Sequence, residues 1–335
     1  MNAKFVIFSC WPGVKTALGS IRKHLSETGC DCRTYEYGAE GLNFKILSEL
    51  KNQPPDYLIV GGWDNNIKMI VQNAVRSKTK VFLLWCSPVT QIDLGGEIGR
   101  FLEVLHFLKN GLIDHVGIIL ESDYQVLKNF HDGFEFFPIY METDNMDSVN
   151  PNVSDYVDGK VNVDLFCAPN PRKNLISQML VLSTFKNVFV HTNYDNPMSS
   201  IPYQGMMNSF LVNKHKNHPW LDRGKYLSFI SSMDFASQVT LSESFNYTAA
   251  EHMYYGVPVM MGISSPISAG FTGDLRKNLL VEKHDDLQEM KVKIERLVSE
   301  ENYRTEMGLL SQEYIRDFNN KNLERLKESM MGVFK

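Results

Sequence analysis

Two glutamates, Glu243 and Glu251, stand in an E-x7-E spacing inside the segment LSESFNYTAAEHMYYGVPVMM, residues 241–261. Residues 248–255 have the Ala-rich composition of a helix, Gly256 is a C-terminal stop signal, and Pro258 follows it. The pattern therefore places one carboxylate just before a helix N-terminus and the other within the first turns of that helix.

This arrangement fits one class of ligand by its chemistry. A helix N-terminus offers backbone N–H groups without helical partners and a partial positive charge, which suit a diphosphate. Carboxylates on either side accept hydrogen bonds from hydroxyls, at on the order of 1.5–3 kcal/mol each when charge-assisted. A nucleotide sugar has this layout, with ribose hydroxyls at one end, sugar hydroxyls at the other and a diphosphate between. The alternative is that the two acidic residues only stabilise the helix dipole.

The whole segment resembles the signature of GT-B fold glycosyltransferases, above all the retaining family 4, whose usual form is E-[S/G]-F-G-x-x-x-x-E-A-M-A-x-G-x-P-V-V. The resemblance implies that Glu243 contacts the transferred sugar and that Glu251 holds the ribose hydroxyls. Asn246 stands where the family usually has Gly, and Asn tolerates the left-handed backbone region. The resemblance also assigns the loop between the glutamates to donor binding through its backbone amides: Ser244, Phe245, Asn246, Tyr247 and Thr248.

A basic pair, Arg172–Lys173, follows the first strand predicted for a second domain. By resemblance, Lys173 stands where the family has its phosphate-binding lysine. The family also has an Arg a few residues earlier, where this chain has Cys167 or Ala168. Either Arg172 supplies that charge or the diphosphate is held more weakly; a solvated basic pair at a helix start is the alternative. Fixed cations suit this role because a departing diphosphate gains charge in the transition state.

Further candidates lie after other predicted strands. Gly13 stands where the family has a glycine loop near the donor phosphates, with a plain turn as the alternative. Trp63 and Asp64 are expected to line the acceptor site, where the aromatic face of Trp63 would contact a sugar ring. The alternative is that they belong to an ordinary βα loop. His191 is expected to point into the same cleft, or to be a satisfied structural histidine. The family's usual first-domain histidine is missing, because Cys86-Ser87-Pro88 occupies its place.

The elements that must position these residues alternate along the chain. Residues 4–10, 56–60, 81–86 and 116–120 are solid apolar runs, separated by patterns of helical spacing. Strands lack polar alternation when helices cover both faces of a sheet, so the pattern predicts a doubly wound parallel sheet. A second series of the same kind begins near residue 161.

The 335 residues exceed the roughly 250–300 at which single cores stop growing, so two domains are expected. We predict an α/β protein of the GT-B class, with two Rossmann-like, doubly wound parallel-sheet domains facing a central cleft. Residues 1–150 are the expected acceptor domain and 151–312 the expected nucleotide-sugar domain. Residues 313–335 are expected to form a helix that packs back on the first domain.

Composition excludes other classes. With 34 Lys+Arg against 39 Asp+Glu and a net charge of −5, the chain shows no basic excess typical of bulk nucleic-acid or anionic-membrane binders. No stretch approaches the roughly 20 apolar residues of a membrane span. Five cysteines without redox or zinc spacing favour a cytoplasmic protein with reduced thiols. The sequence shows no metal-binding motif, and we expect no metal and no cofactor.

These patterns predict a glycosyltransferase that moves a sugar from a nucleotide diphosphate sugar, UDP-sugar favoured, to an acceptor hydroxyl with retention of configuration. The acceptor is expected to be a glycan or glycolipid. Three alternatives stay open: a nucleotide-sugar epimerase of the same fold, a DNA-base glycosyltransferase of viral type, and a non-catalytic nucleotide-sugar-binding subunit. The sequence does not indicate an oligomeric state.

Overall fold

The computed structural model describes residues 4–9, 12–36, 47–48, 50–94, 97–144, 146–151, 154–193 and 197–334. Cys10, the last residue of the first predicted strand, lies outside these ranges. The chain forms two compact units, here called unit 1 (Met1–Glu142 with Asn320–Lys335) and unit 2 (Thr143–Asn319). The first boundary falls a little before the expected residue 150, and the second falls inside the last helix, C-terminal to the expected residue 313. The acceptor and donor roles of the two units stay predictions.

Unit 1 is one parallel sheet with helices between its strands. The sheet runs in the order β2-β1-β3-β4-β5-β6, so the strand order reverses at β1 and β3. The elements are β1 (Lys4–Ser9), α1 (Pro12–Glu27), β2 (Asp31–Glu36), β3 (Tyr57–Gly61), α2 (Asn65–Arg76), β4 (Lys80–Trp85), α3 (Val89–Leu94), α4 (Ile98–Lys109), β5 (His115–Ile118), α5 (Glu121–Leu127) and β6 (Phe134–Phe136).

The core of unit 1 explains why its strands are unbroken apolar runs. Every residue of β3 is buried, because helices cover both faces of the sheet. Phe334, directly after the last helix, also contributes. It is 1% exposed, and its ring lies edge-on to Phe5 at 5.4 Å and to Tyr57 at 5.3 Å between centroids. Asn322 Nδ2 donates to the Ile139 carbonyl oxygen at 2.8 Å.

Unit 2 repeats the pattern with a second parallel sheet, in the order β12-β11-β10-β7-β8-β9. Its elements are β7 (Val161–Asp164), a 3₁₀ turn (Pro171–Lys173), α6 (Leu175–Ser183), β8 (Val188–Thr192), α7 (Pro197–Phe210), β9 (His215–Asn217), α8 (Arg223–Ile230), β10 (Phe235–Gln238), α9 (Tyr247–Tyr254), β11 (Val259–Gly262), α10 (Pro266–Ala269), α11 (Gly273–Leu279), β12 (Leu280–Val281), α12 (Leu287–Ser299) and α13 (Glu301–Val333).

The strand order of unit 2 fixes where a ligand is expected. The chain runs outward from β7 through β8 to β9, and then returns to place β10 on the other side of β7. In open α/β sheets, the crevice for a ligand lies at the carboxyl ends of the strands where the order reverses. In unit 2 this point is between β7 and β10, whose following loops carry Lys173 and Glu243.

The predicted fold class is confirmed in each unit, since both are doubly wound parallel α/β sheets. Among the described residues, no helix combines the length and the apolar composition that crossing a membrane requires.

Candidate functional site

The turn after β7 presents the basic pair. Asn170 caps the 3₁₀ turn, and its side-chain oxygen accepts a hydrogen bond from the Arg172 backbone N–H at 3.0 Å. Asn174 ends the turn in the left-handed region at φ +50°, and its side chain donates to the His284 carbonyl oxygen at 2.7 Å. These contacts fix the direction in which Arg172 and Lys173 leave the sheet.

Gln178, on α6, ties this turn to the neighbouring strand. Its side chain is completely buried, and its Nε2 donates to the Lys173 carbonyl oxygen at 2.8 Å. Its Oε1 accepts from Ser237 Oγ at 2.6 Å and from the Val239 backbone N–H at 3.0 Å, at and beyond the end of β10. Gln178 therefore fixes the position of the Lys173 backbone relative to β10, the strand that precedes Glu243.

Lys173, Arg172 and Glu243 form one cluster, here called the basic–acidic cluster. The Lys173 ammonium donates to Glu243 Oε1, and Arg172 Nη1 lies 3.3 Å from Glu243 Oε2. Arg172 Nη1 also donates to the Ser242 carbonyl oxygen at 3.1 Å. Glu243 is 4% exposed and Lys173 is 9% exposed. Two cations share one carboxylate, so the cluster carries a formal charge of +1 beside the expected ligand crevice.

The loop from Glu243 to α9 has the backbone that the motif predicts. Asn246 lies in the left-handed region at φ +71° and ψ 66°, which glycine adopts freely and Asn tolerates. Its Oδ1 accepts a hydrogen bond from the Ala249 backbone N–H at 3.2 Å and so caps α9. Phe245 is 2% exposed, with its ring 4.7 Å from that of Tyr247. Because Phe245 is anchored inward, this loop presents backbone rather than the Phe245 ring to a ligand.

Glu251, on α9, is buried and paired with a residue that sequence reasoning missed. Arg223 Nη1 donates to Glu251 Oε1, and the Arg223 side chain is 55% exposed whereas that of Glu251 is 5% exposed. Burial raises the pKa of the Glu251 carboxyl above its ordinary value, although the Arg223 charge and hydrogen bond lower it. Asp222 caps α8, so Arg223 is the first residue of that helix.

His252, next in the chain, joins α9 to the end of β7. Its Nε2 lies 3.0 Å from Asp164 Oδ2, and both side chains are completely buried. Its Nδ1 lies 2.7 Å from the Thr248 carbonyl oxygen, which only accepts, so Nδ1 carries a proton. Burial alone lowers the pKa of His252, but the charge and hydrogen bond of Asp164, the Thr248 carbonyl and the Glu251 charge together raise it above its ordinary value. This pair was also missed from the sequence.

His191 is not placed as a ligand contact. It is completely buried; its Nε2 lies 3.0 Å from Asn162 Oδ1 and its Nδ1 lies 3.0 Å from His218 Nε2. Burial lowers the pKa of His191 to about 3, so the ring is neutral. Because both ring nitrogens already have partners, the structure favours the satisfied structural histidine and not the expected role in the cleft.

The candidate site residues of unit 1 also have structural roles. Trp63 is 2% exposed, and its indole N–H donates to Glu103 Oε2 at 3.0 Å. Asp64 caps α2 by accepting from the backbone N–H groups of Asn66 and Ile67, both at 2.9 Å. Trp63 is therefore almost completely buried, and its role in lining the acceptor site stays a prediction. Gly13 lies within the first turn of α1.

A small cavity lies at the carboxyl ends of β3 and β4 in unit 1. Its volume is ≈ 50 Å³, enough for a water molecule or two. Its lining includes Trp63, Trp85, Cys86, Glu97 and Arg100. Across the described ranges, no group of three or more His, Cys, Asp and Glu side chains is arranged to hold a metal ion.

No family model matches the sequence, and no curated protein matches it. Solved structures are similar in fold at low sequence identity. Sucrose-phosphate synthase from Thermosynechococcus elongatus superposes with a TM-score of 0.78 at 11% identity, over 99% of each chain. A UDP-forming α,α-trehalose-phosphate synthase from Burkholderia xenovorans gives 0.72 at 11% identity over 100% of each chain. The Anabaena protein HepE in complex with UDP-glucose gives 0.72 at 12% identity, over 98% of this chain and 100% of that one. These likenesses confirm the two-domain fold class.

Proposed function

We propose that the chain is a glycosyltransferase that transfers a sugar from a nucleotide diphosphate sugar to an acceptor hydroxyl with retention of configuration. The observation that carries the proposal is the basic–acidic cluster, in which Lys173 and Arg172 flank the buried Glu243 at the carboxyl ends of β7 and β10. A net positive cluster at the reversal point of a doubly wound sheet suits an anionic ligand.

Lys173 and Arg172 are the proposed diphosphate ligands. Both already bind a carboxylate, so an incoming phosphate oxygen can replace Glu243 as their acceptor and keep both cations paired. Glu243 then accepts hydrogen bonds from hydroxyls of the transferred sugar. This exchange of partners explains why two cations and one carboxylate lie together in the ligand-free protein.

The start of α9 is the proposed site for the rest of the donor. Backbone amides of the loop from Ser244 to Thr248 approach the sugar and the phosphates, and the dipole of α9 favours the negative charge. In the described part of the chain, Asn246 Nδ2 is buried without a hydrogen-bond partner. A ligand oxygen would satisfy that donor. Glu251, in the second turn, is the proposed acceptor for the ribose hydroxyls.

The reaction needs little chemistry from the protein. An oxygen of the acceptor hydroxyl bonds to the anomeric carbon while the bond from that carbon to the diphosphate breaks. The departing diphosphate takes the hydroxyl proton on the same face of the sugar, which retains the configuration. Lys173 and Arg172 stabilise the charge that develops on the leaving group. No enzyme nucleophile is required.

We favour a UDP-sugar as donor, because two of the similar structures are a UDP-forming synthase and a complex with UDP-glucose. A glycan or glycolipid hydroxyl is the proposed acceptor, with unit 1 as the acceptor domain. By the motif resemblance, the reaction needs neither a metal nor a cofactor. A cytoplasmic location, favoured by the cysteine pattern, belongs to the same proposal.

The test is turnover of UDP-sugars. The full-length protein is incubated with UDP-glucose and a panel of glycan acceptors, and release of UDP is followed alongside formation of the glycoside. Lys173→Ala and Glu251→Ala are expected to lose transfer, whereas Lys225→Ala, an exposed lysine paired with Asp222, retains it. Wild-type turnover in Lys173→Ala and Glu251→Ala would show that the site assignment is wrong.

One observation favours a second candidate, a nucleotide-sugar-binding subunit without catalysis. The family's first-domain histidine is replaced by Cys86-Ser87-Pro88, and Trp63, although present, is 2% exposed, so these two positions give weak support for an acceptor site. Tight binding of UDP-glucose with no turnover on any acceptor would support this candidate. Release of UDP that depends on an acceptor would exclude it.

A further inference from the structure

Arg223 and Glu251 form an ion pair in which one partner is open to solvent and the other is not. The Arg223 side chain is 55% exposed, at the first position of α8, and it donates to Glu251 Oε1. The Glu251 side chain is 5% exposed. A carboxylate buried this deeply keeps its charge only with a partner, because leaving water strongly disfavours the ionised form.

Arg223 supplies the counter-charge that keeps Glu251 ionised. Helix α8 contributes Arg223 and Tyr226, α9 contributes His252, and Tyr255 follows the end of α9. Asp164, at the end of β7, contacts His252, because its Oδ2 lies 3.0 Å from His252 Nε2. The positive charge of His252 is thereby matched by Asp164. Among these charged groups of the described structure, Arg223 balances Glu251.

The charge of Glu251 matters for its proposed ligand. Adjacent ribose hydroxyls donate two hydrogen bonds, and an ionised carboxylate accepts both with its two oxygens. A protonated carboxyl must itself donate through one oxygen, so it matches a pair of donors poorly. Arg223 donates to Oε1 from the solvent side and so holds the carboxylate in one orientation.

We propose that Arg223 is a positioning residue that keeps the Glu251 carboxylate ionised and oriented, and thereby sets the lower pH limit of donor binding. This proposal rests on the proposed function, because it takes Glu251 as the ribose ligand. It adds a residue outside the E-x7-E motif, on a different helix, to the nucleotide-binding arrangement.

The first measurement needs no donor. The carboxyl carbons of glutamate are ¹³C-labelled in the full-length protein, Glu251 is assigned by its loss in Glu251→Gln, and its titration is followed by NMR. In Arg223→Ala the Glu251 midpoint rises by about 1 to 3 pH units, the usual effect of removing an adjacent opposite charge. Arg223→Lys restores most of the wild-type midpoint. Lys225→Ala, which removes a cation from the same helix, leaves it unchanged. An unchanged midpoint in Arg223→Ala overturns the proposal.

The second measurement is calorimetric titration of UDP at about pH 6 and about pH 9. Arg223→Ala binds UDP on the order of tenfold more weakly than wild type at the lower pH and recovers at the higher pH, as the carboxyl ionises. An equal loss at both pH values overturns the proposal, because it indicates a direct contact with the nucleotide. A wild-type protein that binds no UDP shows that the proposed function is wrong and removes the donor role of Arg223, whatever the NMR result.

Discussion

The Lys173 ammonium donates to the Glu243 carboxylate across 70 positions of chain, from the turn after β7 to the loop after β10. Those loops are adjacent because β7 and β10 pair in parallel where the sheet reverses its strand order. The strand order of unit 2 therefore brings together the two charged residues of the proposed donor site. In the absence of a donor, the two proposed phosphate-binding cations share one carboxylate of the protein, Glu243.

Substitution of Lys173 by Ala removes the more buried of the two cations. The remaining cluster, Arg172 with Glu243, has no net charge, so we expect the affinity for UDP-glucose to fall by about 10- to 100-fold, the value of one charge-assisted hydrogen bond. Calorimetric titration of UDP-glucose measures the effect. Lys225→Ala is the matched control on an exposed lysine, and equal loss in that control would point to bulk charge rather than to the cluster.

Substitution of Glu243 by Gln separates phosphate binding from sugar transfer. The cluster charge rises from +1 to +2, so we expect UDP to bind more tightly, by roughly threefold, because the cations lose a competing carboxylate. Transfer of glucose should fall by on the order of 100-fold, since the sugar hydroxyls lose a charged acceptor. UDP titration and initial-rate assays report the two effects. Parallel losses of both would contradict the assigned role.

The buried histidine pair predicts loss of stability in acid. The pKa of His191 is lowered to about 3 in the folded protein from an ordinary 6.5, so the unfolded chain binds a proton that the folded one excludes between these values. The free energy of unfolding therefore falls as pH decreases from about 6.5 towards about 3, by up to about 1.4 kcal/mol per pH unit from this residue. The lowered pKa of His218 acts in the same direction.

Urea unfolding of wild type and His191→Gln across this pH range measures the slope. The variant should be less stable near neutral pH, because its contacts to Asn162 and His218 are lost, but its stability should depend less on pH. His106→Gln, on the exposed surface of α4, serves as the control with the wild-type slope. A slope in His191→Gln equal to that of wild type would show that His191 does not cause the acid sensitivity.

The Asp164–His252 pair predicts a pH dependence of opposite sign. The pKa of His252 is raised in the folded protein, so its contribution is fully present below about pH 6.5 and is lost as pH rises through the raised value. Asp164→Asn leaves His252 buried without its counter-charge and should cost about 3 kcal/mol. Asp158→Asn, at an exposed aspartate, is the control. In a double-mutant cycle with His252→Gln the losses should not add, and additive losses would contradict a direct pair.

The sequence was sufficient to predict the fold class and the positions of Glu243 and Glu251 relative to one helix. Unbroken apolar strands indicated parallel sheets, and the E-x7-E spacing placed Glu243 and Glu251 on either side of a helix start. Asn246 was expected to tolerate a left-handed backbone, and it adopts one. These predictions succeed because they depend on local spacing and on residue type.

The remaining features depend on contacts that no local pattern encodes. Arg223 and Glu251 belong to different helices, and Asp164 reaches His252 from a strand far along the chain. The solvent exposure of individual side chains was equally unpredictable. Trp63 follows a strand, where ligand contacts are common, yet Glu103 on α4 binds its indole N–H and the ring is buried. A residue at a strand end becomes a ligand contact or a core residue according to the side chains that other elements bring to it.

The decisive measurement is calorimetric titration of UDP-glucose into the full-length wild-type protein and into Lys173→Ala. We expect the wild-type protein to bind the nucleotide sugar at one site and Lys173→Ala to bind it about 10- to 100-fold more weakly. Absence of binding to the wild-type protein, or equal affinity in Lys173→Ala, would contradict the claim that unit 2 holds a nucleotide-sugar donor through the basic–acidic cluster.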